Sequence, residues 1–359
     1  MRYVLIGDGD SPHLLKWARA LVQVPGLELW AASSRGFLPG FDGLLPEARR
    51  LAMSTRPDAG GGNFGLLRQL PRLARWLRAV DAPWLHAHYL TSHGSLAWLA
   101  KRFLGVRGRL VGSAWGSDIL VTPRRSILLG WATRRVLRAC ALTTSDSQVM
   151  AQRMREMGAA EVMVFPFGLE AMPPAPGPKD PALFFANRGL EPIYAPERVL
   201  RVFAALDWPE ARLVVANDGS LRASLEVLAT SLGLAGRVKF VGRLDAVAQA
   251  VYYERAQWYI SLPRSDSVAV SVLEAMAFGC LPMLSDLPAN RELVADGDNG
   301  LILAGAATPD RSRLLALAAR AVPIAEANRD WVMQHALFAP CIDRFMERLR
   351  AIAPATFSA

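Results

Sequence analysis

At 359 residues and 52% hydrophobic side chains, the chain carries enough apolar material for two ordinary cores, which excludes a disordered or fibrous polypeptide. Cys140, Cys280 and Cys341 stand apart in apolar surroundings without metal-ligand spacing, so they read as reduced core thiols rather than a disulfide framework or zinc module. The net charge of +9 is uneven: residues 1–170 hold 22 Lys and Arg against 12 Asp and Glu, and 171–359 hold 19 against 20, so the first half is expected to face something anionic.

The opening MRYVLIGDGD is too short an apolar run for a secretory leader, and no run of 18 apolar residues exists to span a bilayer, so a cytoplasmic location is expected. Residues 2–7 (RYVLIG) read as a buried strand leading into Asp8-Gly9-Asp10-Ser11-Pro12 and a helix over about 13–24. Strand, glycine-bearing turn and helix open a nucleotide-binding α/β unit, although the full G-x-G-x-x-G is absent. His13, at the start of that helix, is either structural or a polar group turned toward a ligand.

Residues 29–33 suggest a second strand, and 55–63 (TRPDAGGGN) a loop. In 66–80, Leu66, Leu70, Leu73 and Leu77 recur at helical spacing, with Arg68, Arg72, Arg75 and Arg78 between them and Trp76 among them. That pattern fits a helix on a membrane surface and equally a packed helix with an arginine-rich outer face. Residues 84–89 form a strand with His86 and His88 on one face, and His93 opens the next helix. No carboxylate or cysteine stands near enough to complete a zinc site, so no metal is expected.

Residues 109–113 are the next strand, ending in Ala114-Trp115-Gly116-Ser117-Asp118. The stretch 124–138 (RRSILLGWATRRVLR) is again basic with apolar residues interleaved. Two such stretches in one half favour an anionic membrane surface as a partner, and no nucleic-acid module is recognisable, so none is expected to bind. Strand 141–145, helix 148–157 and strand 161–165 complete this half, and a Pro-rich break begins at Gly168. The domains are expected over 1–170 and 181–336 with a linker at 171–180, followed by a last helix within 337–359.

The second half alternates strands at 182–186, 212–216 and 238–242 with helices at 197–206, 222–232 and 246–255, which implies a parallel sheet covered by helices. A strand follows at 257–262, closed by Pro263, then a short polar loop with Arg264 and Asp266, and a helix from Ser271 that carries Glu274 and ends at Gly279. A strand at 281–285 and a polar helix at Asn290, Arg291 and Glu292 come next. A helix N-terminus offers unpaired N–H groups and partial positive charge, so Ala269, Val270 and Ser271 make an anion site. Two acids beside it suit a ligand with a phosphate end and a polyhydroxyl end; in the plainer alternative, Asp266 caps the helix and Glu274 faces solvent.

Asp266-x7-Glu274, the LEAMAFG run and PANRELVADGDNGLIL together resemble the donor-sugar signature of retaining GT-B glycosyltransferases of family 4. In that family the first acid is usually Glu, and Leu281 makes the run one residue longer than the commonest spacing. The resemblance implies an α/β GT-B fold, two Rossmann-like domains facing a central cleft, with the last helix crossing back to the first domain.

It further implies a nucleotide-diphosphate sugar as donor, no separate cofactor, and a glycan or lipid-linked acceptor in cell-surface polysaccharide or glycolipid synthesis. By the same resemblance Arg188 would hold the diphosphate, although the usual lysine five residues on is Ile193. Glu274 would hold the ribose and Asp266 the sugar, and Gly9 and Gly219 would sit in turns at the donor. Asp118 and His13 would lie beside the acceptor, with Trp115 where a histidine is usual. A nucleotide-sugar epimerase and a non-catalytic donor-binding protein are the alternatives. On this reading, replacing Asp266 should impair transfer and spare nucleotide binding. The enzyme is expected on the inner face of the cytoplasmic membrane.

Overall fold

Short apolar runs, most of them alternating with helices, give two all-parallel sheets. The computed structural model describes residues 1–55, 64–206, 208–305, 307 and 309–356, and the chain divides into one unit of Met1–Phe165 with Phe338–Ala359 and another of Pro166–Leu337. The first unit holds β1 (Arg2–Gly7), β2 (Glu28–Ser33), β3 (Arg50–Ala52), β4 (Trp84–His88), β5 (Arg109–Ser113), β6 (Cys140–Ser145) and β7 (Val162–Val164), in the order β3-β2-β1-β4-β5-β6-β7. The second holds β8 (Asp180–Ala186), β9 (Arg212–Ala216), β10 (Val238–Gly242), β11 (Ala256–Ser261), β12 (Leu281–Ser285) and β13 (Leu301–Leu303), in the order β10-β9-β8-β11-β12-β13.

Both are Rossmann-like sheets whose strand order reverses once, between β1 and β4 and between β8 and β11. Loops leaving the carboxyl ends of strands at such a reversal diverge and leave a crevice, which is where open α/β sheets bind ligands. His88 closes β4, and Asn187 and Arg188 follow β8 directly.

Several expected elements differ in detail. The helix read over 13–24 is Pro12–Val22, capped by the Ser11 hydroxyl accepting from the His13 N–H. The helix read over 66–80 is two, Phe64–Arg68 and Leu70–Val80, because Pro71 has no N–H for the preceding turn. Leu66, Leu73 and Leu77 are buried, so the apolar stripe belongs to the core, and Arg68, Arg72, Arg75 and Arg78 face outward with Leu67 at the first helix's end. Burying each such leucine contributes about 1.5–3 kcal/mol. The stretch 124–138 breaks at Ser126 into Thr122–Arg125 and Ile127–Ala139. His93 lies in a single wide turn, Leu90–Gly94, entered through Tyr89 at φ 62°, and the helix proper begins at Ser95. Of the loop read at 55–63, residues 56–63 lie outside the described residues.

The sequence reading passed over β3, β13 and the helices Arg311–Ala318 and Ala321–His335. The units divide after Phe165, a few residues before the expected linker, and Gly168 shows why the chain passes closely there: a Cβ would stand 1.8 Å from the Ala336 carbonyl oxygen. The last helix, Phe338–Ile352, packs in the first unit, where Phe338 and Phe345 meet the Trp17 ring edge-on at 5.2 and 5.3 Å.

Candidate functional site

In the second unit the loop after β8 and the loop after β11 meet. Arg188 reaches Asp266 Oδ2 through Nη2 at 2.5 Å and Ser271 Oγ through Nη1 at 3.2 Å, and its guanidinium lies 4.4 Å from the centre of the Tyr194 ring. Both side chains of the ion pair are 19% exposed. Burial raises the Asp266 carboxyl above its ordinary range, and the guanidinium and the Ser267 N–H offset only part of that. Asp266 is not a helix cap: the N-cap of Val270–Ala277 is Ala269, which has no side-chain oxygen to offer. The helix therefore presents Ala269, Val270 and Ser271 with backbone N–H groups and dipole beside Arg188.

Glu274, one turn further, accepts from the Tyr253 hydroxyl at 3.0 Å. A chain of buried polar groups joins it to Arg188. Tyr259 Oη lies 2.8 Å from both Asn187 Oδ1 and Ser271 Oγ. The amide oxygen can only accept, so it takes the phenol's single proton and the serine hydroxyl supplies the other bond. Asn187 Nδ2 then donates to Tyr253 and to Gln249 Oε1, each at 2.7 Å. Donation thus runs one way, from guanidinium through Ser271, Tyr259, Asn187 and Tyr253 to the Glu274 carboxylate. Burial pushes the Tyr259 phenol up to about 12, so it stays a donor at neutral pH. Asn187, Tyr194, Tyr253 and Tyr259 were not singled out from sequence; Tyr259 alternates with apolar residues in a buried strand and reads there as core.

A polar cavity of about 240 Å³ opens beside this network, lined by Asn187, Ala216, Asn217, Arg243, Leu244 and Gln249 at the carboxyl ends of β8, β9 and β10. Gly219 lies in the turn after β9, where a Cβ would stand 2.5 Å from the Leu190 carbonyl oxygen; its glycine is required by that loop packing. Ile193, in place of the usual lysine, contributes its backbone carbonyl to the Arg264 N–H at 2.9 Å.

In the first unit, Gly9 is likewise fixed by its own neighbourhood, since a Cβ would stand 2.5 Å from the Gly36 carbonyl oxygen. Asp118 is buried, and its two oxygens accept from the Leu90 N–H at 2.7 Å and the Trp115 N–H at 2.9 Å. Burial raises its carboxyl to about 6 despite those bonds. Asp118 thereby ties the loop after β4 to the loop after β5. The His13 ring lies tilted against Trp115 with centroids 4.6 Å apart, and the Trp115 indole N–H donates to His88 Nδ1 at 3.1 Å, which leaves the proton of neutral His88 on Nε2. Two imidazoles therefore flank Trp115. Among the described residues, no group of three His, Cys, Asp or Glu could hold a metal ion, and no helix is long and apolar enough to cross a membrane.

Residues 170–317 match the family profile of glycosyl transferases group 1, and 13–168 that of a glycosyl transferase 4-like domain. D-inositol 3-phosphate glycosyltransferase 2 of Catenulispora acidiphila is 28% identical over 346 residues, covering 83% of this chain and 80% of the relative. Among solved structures, Anabaena HepE in complex with UDP-glucose superposes with a TM-score of 0.75 at 16% identity, over 98% of this chain and 100% of that one. Sucrose-phosphate synthase of Thermosynechococcus elongatus gives 0.73 at 16%, with the same coverage. These likenesses establish the GT-B type of architecture, two Rossmann-like α/β domains.

Proposed function

The chain belongs to the glycosyl transferases of group 1, and from that premise we propose that it moves a hexose-type sugar from a nucleotide-diphosphate sugar to a glycan or lipid-linked acceptor, with retention of anomeric configuration. The observation that carries this is Arg188 held against Asp266 and Ser271 at the uncapped N-terminus of Val270–Ala277, with Glu274 one turn inside. On this reading the guanidinium and helix N-terminus take the diphosphate, Glu274 takes the ribose, and the polar cavity takes the base. Asp266, on the guanidinium, faces the sugar. That HepE was solved with UDP-glucose supports a donor of this class. His13 and Trp115 form a wall suited to a sugar acceptor, with Gly9 and Asp118 shaping the loops around it.

The chemistry asked of these groups is charge stabilisation. As the bond from the sugar to the diphosphate breaks, negative charge grows on the leaving oxygen, and the helix dipole and Arg188, once turned from Asp266, stabilise it. The acceptor hydroxyl then attacks from the face the diphosphate leaves and gives its proton to the departing diphosphate oxygen. Peripheral attachment to the inner face of the cytoplasmic membrane fits a lipid-linked acceptor and the basic first half.

The test is incubation with a panel of UDP- and GDP-linked hexoses, following nucleoside diphosphate release and the anomeric signal of the product by NMR. Release of diphosphate with a product of the donor's own configuration is expected. Donor isomerised without transfer would show an epimerase, and binding without consumption a non-catalytic protein.

A further inference from the structure

The helix Ile127–Ala139 turns Gly130, Thr133, Val136 and Leu137 inward and leaves an apolar outer turn. Ile127 is 92% exposed, Leu128 76% and Trp131 49%. The helix Ser95–Phe103 ends beside it on Phe103, 63% exposed, and Trp98 joins the two through edge contacts to Phe103 and Trp131 at 6.2 and 6.1 Å. Single exposed apolar side chains need no explanation, but four gathered on two touching helices do.

Charge surrounds that patch in one sign. Ile127, Trp131, Arg134 and Arg138 fall at i, i+4, i+7 and i+11, so one face is apolar in its first turn and basic in its last two. Arg135 stands 5.3 Å over Trp131 and Arg102 5.2 Å over Phe103, which keeps cations at the rim. Between residues 92 and 145 the chain carries nine Lys and Arg and a single acid, Asp118, which is buried. By contrast, Leu70–Val80 buries Leu73, Ala74, Leu77 and Val80 in the core, and no large apolar side chain is among its exposed residues, which are Pro71, Arg72, Arg75, Arg78 and Ala79.

We propose that this face of Ile127–Ala139 and Ser95–Phe103 docks on an anionic lipid bilayer, with Ile127, Leu128, Trp131 and Phe103 entering the headgroup layer and the arginines on lipid phosphates. Buried apolar area and attraction to anionic lipid together set the strength of such binding. A second copy of this chain fits poorly, because a two-fold contact would set arginines against arginines. The proposal deepens the reading of a lipid-linked acceptor; vesicle binding is read without any sugar transfer, so either can fail alone.

The experiment is co-sedimentation of the full chain with phosphatidylcholine vesicles, with and without about one third phosphatidylglycerol. The wild type should bind only the anionic vesicles, more weakly as salt rises. Each basic residue near such a surface is worth roughly fivefold, so Arg124→Glu with Arg134→Glu and Arg135→Glu should weaken binding by on the order of a hundredfold or more. Arg72→Glu with Arg75→Glu and Arg78→Glu makes the same change of charge on the other helix and should cost far less. Ile127→Ser with Leu128→Ser should lower binding tenfold or more at unchanged charge, with an unchanged melting curve; Ile127→Ser alone serves if the pair fails to fold. Equal losses from the two arginine sets would reduce the effect to net charge and overturn the docking face. So would undiminished binding by the serine variant, failure of the wild type to sediment at low salt, or a wild-type dimer that the serine variant dissociates.

Discussion

Asp266→Asn is expected to tighten the binding of the free nucleoside diphosphate while suppressing transfer. In the structure the carboxylate stands on the guanidinium assigned to the diphosphate, so an entering phosphate meets an arginine already neutralised by an acid. At roughly 5 Å from the phosphate and an effective dielectric of about 20, one negative charge costs about 3 kcal/mol. Both side chains keep some solvent contact, and Arg188 must still reorient, which reduces the gain to about 1–2 kcal/mol, or roughly five- to thirtyfold in Kd. Transfer should fall by about a hundredfold, because the acid facing the sugar is lost and small misplacements there are costly. Calorimetry with UDP and GDP, beside turnover with the matching donor, reads both arms. The sequence alone suggested that nucleotide binding would be spared, and the ion pair reverses that expectation. Diphosphate affinity that stays equal or weakens in Asp266→Asn would show that the pair does not compete with the ligand and that Arg188 is not its cation.

Glu274→Ala should weaken donor binding by roughly 1.5–3 kcal/mol, the scale of a charge-assisted hydrogen bond, and unchanged calorimetry would remove Glu274 from the site. Tyr259→Phe should cost about 1 kcal/mol of stability by urea melting and also weaken diphosphate binding, since it cuts the chain that holds Asn187 and Ser271 in place; a loss of stability alone would make the phenol merely structural. Burial holds His86 at about 3 and His93 at about 4, below the ordinary 6.5, so their contribution is fully present above pH 6.5 and is lost as pH falls toward those values. Each should cost roughly 3 kcal/mol by about pH 4, partly offset by Asp8 and Asp118, which burial raises to about 6 and which therefore favour the fold as they protonate. A stability loss on acidification that is the same in the wild type and in His86→Gln with His93→Gln, by urea melting, would contradict neutral buried histidines.

How far the sequence could be read depended on the distance between partners along the chain. The alternation of strands and helices was local and legible, as was the acid pair, because Asp266 and Glu274 lie eight residues apart around one helix start. The pairing of Arg188 with Asp266 joins residues 78 positions apart, and no local pattern announces it. Tyr259 and Tyr253 carry the same limit in another form: a tyrosine on a buried strand or helix looks like core until its hydroxyl finds Asn187 or Glu274. The two basic amphipathic stretches show the physical reason most plainly. Periodicity tells which side chains share a face, and it gave 66–80 and 124–138 the same description. Whether a neighbour covers that face is decided by packing. The core takes Leu73 and Leu77, whereas Ile127, Leu128 and Trp131 remain outside, so of two stretches that read alike one is spent on the fold and the other is left to meet something else.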